Sequence, residues 1–172
     1  NPHFLYNTLD TIKWNAKINQ IPEIAVLAEN LAVILRKSIS SKPFIQLREE
    51  LDTIESYIKI QKIRFAGRFL YETEVPDMLE DCVIPKMILQ PLVENAIIHG
   101  LSRKEQGGRV FLKVWKDGNS VIISVADTGL GMDEETLEEL VTALKNSHTA
   151  KVGIGLGNIY QRIQTMYQNG GL

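Results

Sequence analysis

The spacing of apolar residues changes period once along this chain, and that change limits what the chain can fold into. Up to about Ser41 apolar side chains recur at helical spacing: Leu5, Leu9 and Ile12, then Ile24, Leu27, Leu31, Ile34 and Leu35. Pro22 falls inside this run, either as a kink or as an internal helix start. Asn1 and Pro2 suit a cap and a first helical position, since proline lacks only a donor that would be orphaned there. Ser38-Ile-Ser-Ser-Lys-Pro43 reads as a turn. Leu51, Ile54, Tyr57, Ile58 and Gln61 then mark one side of a second helix, from about Leu47 to Phe65. Two helices joined by a short loop make an antiparallel hairpin with too little core to stand alone. Its apolar stripe would be buried most simply against a second copy, as a four-helix bundle.

After Ala66-Gly67 the period falls to two. Phe69–Val75 alternates like a strand, and Arg109–Lys116 and Ser120–Ala126 are β-rich runs around Asp117-Gly118-Asn119, a hairpin signal. Helices are expected from about Pro85 to His99, from a cap at Asp133 to Leu144, and from Gly155 to Tyr167. This mixture predicts an α+β chain, with a mixed, mainly antiparallel sheet covered on one face by helices. The expected units are a helical hairpin over 1–66 and a sheet domain over 67–172. The chain starts inside a motif and stops at Asn169-Gly-Gly-Leu172, where a sheet would need another strand. It therefore reads as a fragment whose second domain is C-terminally incomplete, with any sensor and membrane segments upstream.

Composition removes several classes of function. Nineteen basic residues against 21 acidic ones leave a formal charge of −2 with no basic run, so nucleic acid and anionic membranes are not expected partners. A single cysteine, Cys82, excludes an intrachain disulfide and a cysteine-built metal site, and fits a reducing compartment. No apolar run approaches the roughly 18–20 residues needed to span a bilayer. Nothing resembles a targeting peptide.

Three stretches carry chemistry. In Pro91-Leu-Val-Glu94-Asn95-Ala-Ile-Ile-His99-Gly100, Asn95 and His99 are four apart and share a face of a mostly apolar helix. Asp127-Thr-Gly129-Leu-Gly131-Met132 sets a carboxylate at a strand end, with glycines that let the backbone turn closely round a flat ligand. Gly153-Ile-Gly155-Leu-Gly157-Asn158 precedes a helix and leaves backbone N–H groups free to cradle phosphate. It is not the dinucleotide fingerprint, because position 158 is Asn and no clear βαβ unit surrounds it. Taken singly, each stretch also reads as an ordinary turn or a solvated helix edge.

Together with Asn1-Pro2-His3-Phe4-Leu5-Tyr6-Asn7-Thr8-Leu9, these stretches resemble the two-component sensor histidine kinases of the LytS/YesM-like branch, over nearly the whole chain. The resemblance implies a dimerising helical hairpin followed by a Bergerat-type ATP-binding domain of the gyrase, HSP90 and histidine kinase group. It implies ATP and Mg²⁺ as cofactors, with Asn95 on the metal, Asp127 on the adenine amino group and His99 near the phosphates. Gly129 and Gly131 complete the loop around the base, and Gly153 and Gly155 the phosphate loop. Gly157 is an extra glycine without an assigned role, and Lys151, in the polar 145–151 stretch expected to form a lid, is a candidate phosphate contact. Glu94 is a candidate ligand or water-positioning group. Related ATPases place a carboxylate one turn before the asparagine, where this chain has Pro91. No phenylalanine-centred box is present, so lid chemistry does not transfer.

His3 is then the implied phosphoacceptor. A neutral imidazole attacks the γ-phosphorus in line, and the phosphohistidine passes its phosphoryl group to an aspartate of a response regulator receiver domain. Most of the superfamily has an acidic residue directly after the histidine, whereas this chain has Phe4. Asp10 is the candidate replacement by helical geometry, a carboxylate from elsewhere is the alternative, and Asn7 is the candidate for positioning water in dephosphorylation. The resemblance places the chain in the cytoplasmic part of a membrane-anchored homodimeric kinase. The competing readings are an ATPase or ATP-gated clamp of the same group without phosphotransfer, and a dimerisation module with a degenerate pocket.

Overall fold

A computed structural model describes residues 2–101, 107–145 and 154–168 of the chain. The elements run α1 (Pro2–Ile18), α2 (Pro22–Ile39), β1 (Phe44–Gln46), α3 (Leu47–Arg64), β2 (Phe69–Glu74) and β3 (Val83–Pro85). They continue with α4 (Gln90–Asn95), which passes directly into a π-helical turn at Ala96–Leu101, then β4 (Gly108–Asp117), β5 (Ser120–Asp127), α5 (Glu134–Lys145) and α6 (Ile154–Gln168). The expected α+β class holds. The cap expected at Asn1 lies outside the described residues, as does most of the polar 145–151 stretch. Among the described residues, no helix is long and apolar enough to cross a membrane.

The first helical run is two helices, not one. At its end, Gln20 takes a left-handed conformation with φ 59, which lets the Gln20 N–H bond the Lys17 carbonyl and the Ile21 N–H bond the Ala16 carbonyl. This pair of bonds closes a helix C-terminus. Pro22 then opens α2, at a position where a missing N–H does no harm. The chain reverses, and α1 packs along α2 through the small buried Ala16, Ala25 and Ala28. The antiparallel sense brings the Arg36 guanidinium over the Tyr6 ring, 5.4 Å from its centroid. The hairpin turn therefore sits at Asn19–Ile21, not in the 38–43 segment.

The third helix faces two ways. Its start carries a capping box, with Gln46 and Glu49 bonding each other's backbone N–H groups. On one side Lys37 of α2 bonds the Glu49 carbonyl at 2.9 Å and Asp52 at 3.2 Å. On the other, Leu47, Ile54, Tyr57 and Ile58 enter the main core with Phe69, Val110, Leu112 and Val114 of the sheet, Val93 and Ile97 from the α4 region, and Ile159 of α6. Ala66 and Gly67, both at positive φ, turn the chain from α3 into β2. The break in sequence pattern at Ala66-Gly67 is a real turn, and the core runs straight across it.

Strand order is β2-β4-β5, with β2 parallel to β4 and β4 antiparallel to β5, so the sheet is mixed. The register Asp117↔Ser120 leaves a two-residue loop whose first member, Gly118, has φ 57. Glycine is the residue that accepts this conformation in a tight hairpin. Val110, Leu112 and Val114 point inward under the helices, while Arg109, Lys113 and Trp115 face outward. A second, two-stranded sheet of β1 and β3 lies apart from these strands. Its strands of three residues are too short to show a period in the sequence.

Leu47 is fully buried where α3 meets the sheet domain. Leu47→Ala is expected to lower the unfolding free energy by about 3 kcal/mol, through lost transfer energy and the cavity left behind. Denaturant titration of the two chains measures this.

Candidate functional site

Two chain segments that are remote in sequence meet backbone to backbone at the ends of α4 and β5. Helix α4 starts at Gln90, five residues later than the apolar pattern suggests. The reason is tertiary: Pro85 is still in β3 opposite Phe44, and Met87 sits at φ 59, which no continuous helix permits. Pro91 occupies the first turn, where proline is tolerated. The helix carries Asn95 and passes into the π turn, which brings His99 and Gly100 to the end of β5. π turns of this kind recur at functional sites.

Beyond β5 the chain turns tightly. Asp127 Oδ1 accepts the Gly129 N–H at 2.8 Å, and Gly100 accepts the Leu130 N–H at 3.3 Å. The Thr128 N–H bonds the Arg109 carbonyl, while its hydroxyl accepts the Arg109 N–H, both at 3.0 Å. There is no room for side chains here. A Cβ on Gly129 would overlap the Gly100 carbonyl, and a Cβ on Gly100 would lie 2.5 Å from Asp127 Oδ1. Gly131, at φ 69, completes the turn. Asp127 Oδ2 takes no hydrogen bond among the described residues.

These residues wall a cavity of about 380 Å³. Asn95, His99, Asp127 and Gly131 form its polar part, and Leu92, Val125, Met132, Leu140 and Leu156 its apolar part. The volume lies within the range of small-molecule sites, roughly 300–1,000 Å³. Gly155 opens the approach from α6: a Cβ there would be 3.6 Å from Asn95 Nδ2, so helix start and amide are neighbours. Gly157, two residues further along α6, is buried. Gly153 and Lys151 lie outside the described residues. A roomier concavity of about 570 Å³ lies on the outer face of the sheet, but its charged residues are paired, Lys113 with Glu74 at 2.9 Å and Arg109 with Glu72. Convergent polar groups, not size, mark the first cavity as the site.

The remaining candidates lie elsewhere. Glu94 is not part of the cavity wall: it accepts from Gln90 Nε2 at 2.9 Å and faces α3. Burial, and secondarily the charge of Glu94, push the Tyr57 hydroxyl up to about 12. His3, Asn7 and Asp10 are exposed on α1. Asp10 is held by Lys13 at 2.7 Å, which keeps its carboxyl below the usual range. Seven helical residues, about 10 Å of rise, separate Asp10 from His3 along α1. The Asn7 carbonyl accepts the Thr11 hydroxyl at 2.8 Å.

One residue of structural weight escaped the sequence reading. Glu50 of α3 is only 2% exposed, and its carboxylate accepts the N–H groups of Leu89 at 2.7 Å, Met87 at 3.1 Å and Gln90 at 3.3 Å. Burial pushes its carboxyl up, against the pull of those backbone donors. Its position, three residues after Leu47 and four before Ile54 on the apolar stripe of α3, was the available signal. Beside it, Lys86 bonds the carbonyls of Ser38 at 2.9 Å and Ser40 at 2.5 Å, at the C-terminal end of α2, and Arg162 of α6 bonds the Lys86 carbonyl at 2.5 Å.

The cavity, built on a helix asparagine and a strand-end aspartate among close-packed glycines, has the makings of a nucleotide site. In agreement, residues 81–171 match the histidine kinase-, DNA gyrase B- and HSP90-like ATPase family, and residues 1–69 match the histidine kinase family. The chain belongs to this ATPase family, in its histidine kinase branch. It is 39% identical to sensor histidine kinase YesM of Bacillus subtilis (strain 168) over 168 residues, 97% of this chain and 28% of that protein. Sensor histidine kinase YpdA of Escherichia coli (strain K12) is 35% identical over 99% of this chain and 29% of its own length. Sensor protein LytS of Oceanobacillus iheyensis is 34% identical over 95% of this chain and 28% of its own. The chain thus spans less than a third of these relatives.

Gly129→Ala is expected to force the Asp127–Gly131 turn away from Gly100 and to cost about 1–3 kcal/mol, the range for overpacking. Asn119→Ala, in the distant hairpin, is expected to leave the melting temperature close to that of the unaltered chain. Thermal unfolding of both variants checks the contrast.

Proposed function

We propose that this chain is the ATP-binding and phosphoacceptor core of a sensor histidine kinase. It binds Mg-ATP in the cavity between α4, β5 and α6, and transfers the γ-phosphoryl group to His3. The observation that carries the reading is the convergence of Asn95, His99, Asp127 and Gly131 on one cavity, from segments more than 25 residues apart in the sequence.

The residues fit the nucleotide. Asp127 can accept the adenine amino group on an oxygen that borders the cavity, and the apolar wall suits a flat base. Gly129 lets the loop close against Gly100, and Gly131 keeps a side chain off the cavity wall. Gly155, in the first turn of α6, borders the place where phosphate would lie, and the sequence offers Gly153 and Lys151 as further contacts. No group of three or more His, Cys, Asp or Glu side chains gathers as a metal site among the described residues. Mg²⁺ would therefore be held by the Asn95 amide oxygen together with phosphate oxygens and water, which suits a cation that keeps several waters. Bound there, the ion neutralises the charge that develops on the triphosphate.

In the transfer, a neutral His3 ring nitrogen forms a bond to the γ-phosphorus as the bond to the bridging oxygen breaks, and ADP leaves. The same end of the hairpin supports this delivery: Tyr6 lies under Arg36, and the C-terminal end of α2 is tied to Lys86 next to α4. Asn7, one turn from His3, would orient water in the hydrolysis of the phosphohistidine. Glu94 is left a supporting part through Gln90. Onward transfer goes to an aspartate of a response regulator receiver domain.

The hairpin also supports a homodimer. Phe4, Leu5, Ile12, Trp14 and Ile18 of α1 and Ile24 and Leu31 of α2 are exposed apolar side chains. Leu5 with Ile12 and Ile24 with Leu31 are seven residues apart, the spacing of a bundle seam. A second copy of the hairpin would bury them in a four-helix bundle. In the intact protein this core would lie on the cytoplasmic side of a membrane-anchored sensor.

Incubation with γ-labelled ATP and Mg²⁺ tests the reading. Acid-labile, alkali-stable label is expected on the chain and absent from His3→Gln. Label surviving in His3→Gln would remove His3 as acceptor, and bound nucleotide without any label would favour an ATPase-like clamp. Asp127→Ala is expected to weaken ATP binding about 10-fold or more, the loss of one charge-assisted hydrogen bond. Asn95→Ala is expected to abolish Mg-ATP binding or turnover, and calorimetry on both variants checks these outcomes.

A further inference from the structure

Glu50 touches neither the cavity nor His3, yet it is a buried carboxylate at the point where three helices and the nucleotide helix come together. We propose that Glu50 is a positioning residue for the nucleotide site: from α3 it fixes the start of α4, and through it the place of Asn95 beside the α6 N-terminus. This inference rests on the nucleotide reading of the cavity.

Three observations carry it. First, α4 has only six α-helical residues before the π turn, too few to set its own direction by internal hydrogen bonds. Its first N–H groups have no partners within the helix and must find them outside. The carboxylate supplies them, with Oε1 accepting from Leu89 and Gln90 and Oε2 from Met87. A negative charge is also the favoured one at a helix start.

Second, the same short segment is held from other sides. Lys86 is hooked to carbonyls at the C-terminal end of α2, and Arg162 reaches its carbonyl from α6. The start of α4 is thus located relative to the histidine-bearing hairpin, to α3 and to the phosphate-facing helix at once. Third, Asn95 lies only about 8 Å along the helix from the capped end, with Gly155 as its neighbour. A catalytic group must be held within roughly 0.5 Å to be useful. A small tilt at residues 87–90 exceeds that at Asn95.

The carboxylate is specifically required because it offers two acceptor oxygens. In Glu50→Gln the amide has one oxygen, and its NH₂ meets a backbone N–H, so a buried donor is left unpaired. Glu50→Asp keeps the charge but withdraws it from the same three donors. Val114→Ala serves as the comparison, a core truncation on β4 near the distant Gly118 hairpin. Affinity for a Mg-bound, non-hydrolysable ATP analogue is measured by calorimetry, with amide exchange at Met87–Gln90 and melting temperature alongside.

Glu50→Gln is expected to lose about 10-fold or more in affinity and to exchange faster at Leu89 and Gln90, while Val114→Ala melts earlier but keeps its affinity. Should Glu50→Gln fail to fold, Glu50→Asp carries the same expectation of weakened binding. A folded Glu50 variant that binds the analogue like the unaltered chain would overturn the inference, as would a loss in Val114→Ala matching its loss of stability. No binding by the unaltered chain would overturn the nucleotide reading itself, and this inference with it.

Discussion

The architecture around the cavity hangs on one buried charge. A carboxylate withdrawn from water is costly unless hydrogen bonds replace its hydration, and Glu50 finds them in the unsatisfied N–H groups at the start of α4. Each side needs the other: the helix start would be orphaned without the acid, and the acid would be stranded without the helix. That mutual need explains why the chain leaves β3 through a residue at positive φ, Met87, and does not run from Pro85 straight into a helix. The β1–β3 pair, although only three residues long, sets the approach by holding Phe44 opposite Pro85.

A second constraint works at the other end of the same helix. Gly100, Asp127 and Gly129 pack backbone against backbone, which is possible only without side chains at the two glycines. The contact joins the end of the π turn to the end of β5, and it is what gives the cavity a polar corner. The inner sheet face and the apolar helix faces meet behind this corner in one core, which includes α3. A pocket built this way takes its shape from parts that are individually weak: a six-residue helix, a π turn and a glycine loop. Their rigidity comes from how they are braced.

Much of this was legible in the residues. The α3 span, strands β2, β4 and β5, the Gly118 hairpin and α6 all follow from period and turn chemistry, because each is long enough or punctuated strongly enough to show. Asp133 caps α5 as read, accepting the Thr136 N–H at 2.7 Å. The four cavity residues Asn95, His99, Asp127 and Gly131 were also picked out, since polar groups and glycines in apolar surroundings stand out against their background. Three features were not legible. The hairpin turn at Asn19–Ile21 depends on Gln20 accepting a left-handed conformation, which glycine would have advertised and glutamine does not. The late start of α4 depends on an acid 40 residues upstream of Gln90. The β1–β3 pair has strands of only three residues, too short to show a period.

Local physics in the sequence determined which segments are helix or strand, where glycine is unavoidable, and which side chains have the chemistry to hold a nucleotide. These are short-range questions, answered by periodicity, capping and steric rules that act over a few residues. Tertiary structure alone decided which helix belongs to which core, where the histidine-bearing hairpin turns back, and how Asn95 comes to face Asp127. Those outcomes depend on pairing groups distant along the chain, Glu50 with the start of α4 and Gly100 with Gly129. Such pairs leave little trace in local pattern, because neither member is unusual until the other stands beside it.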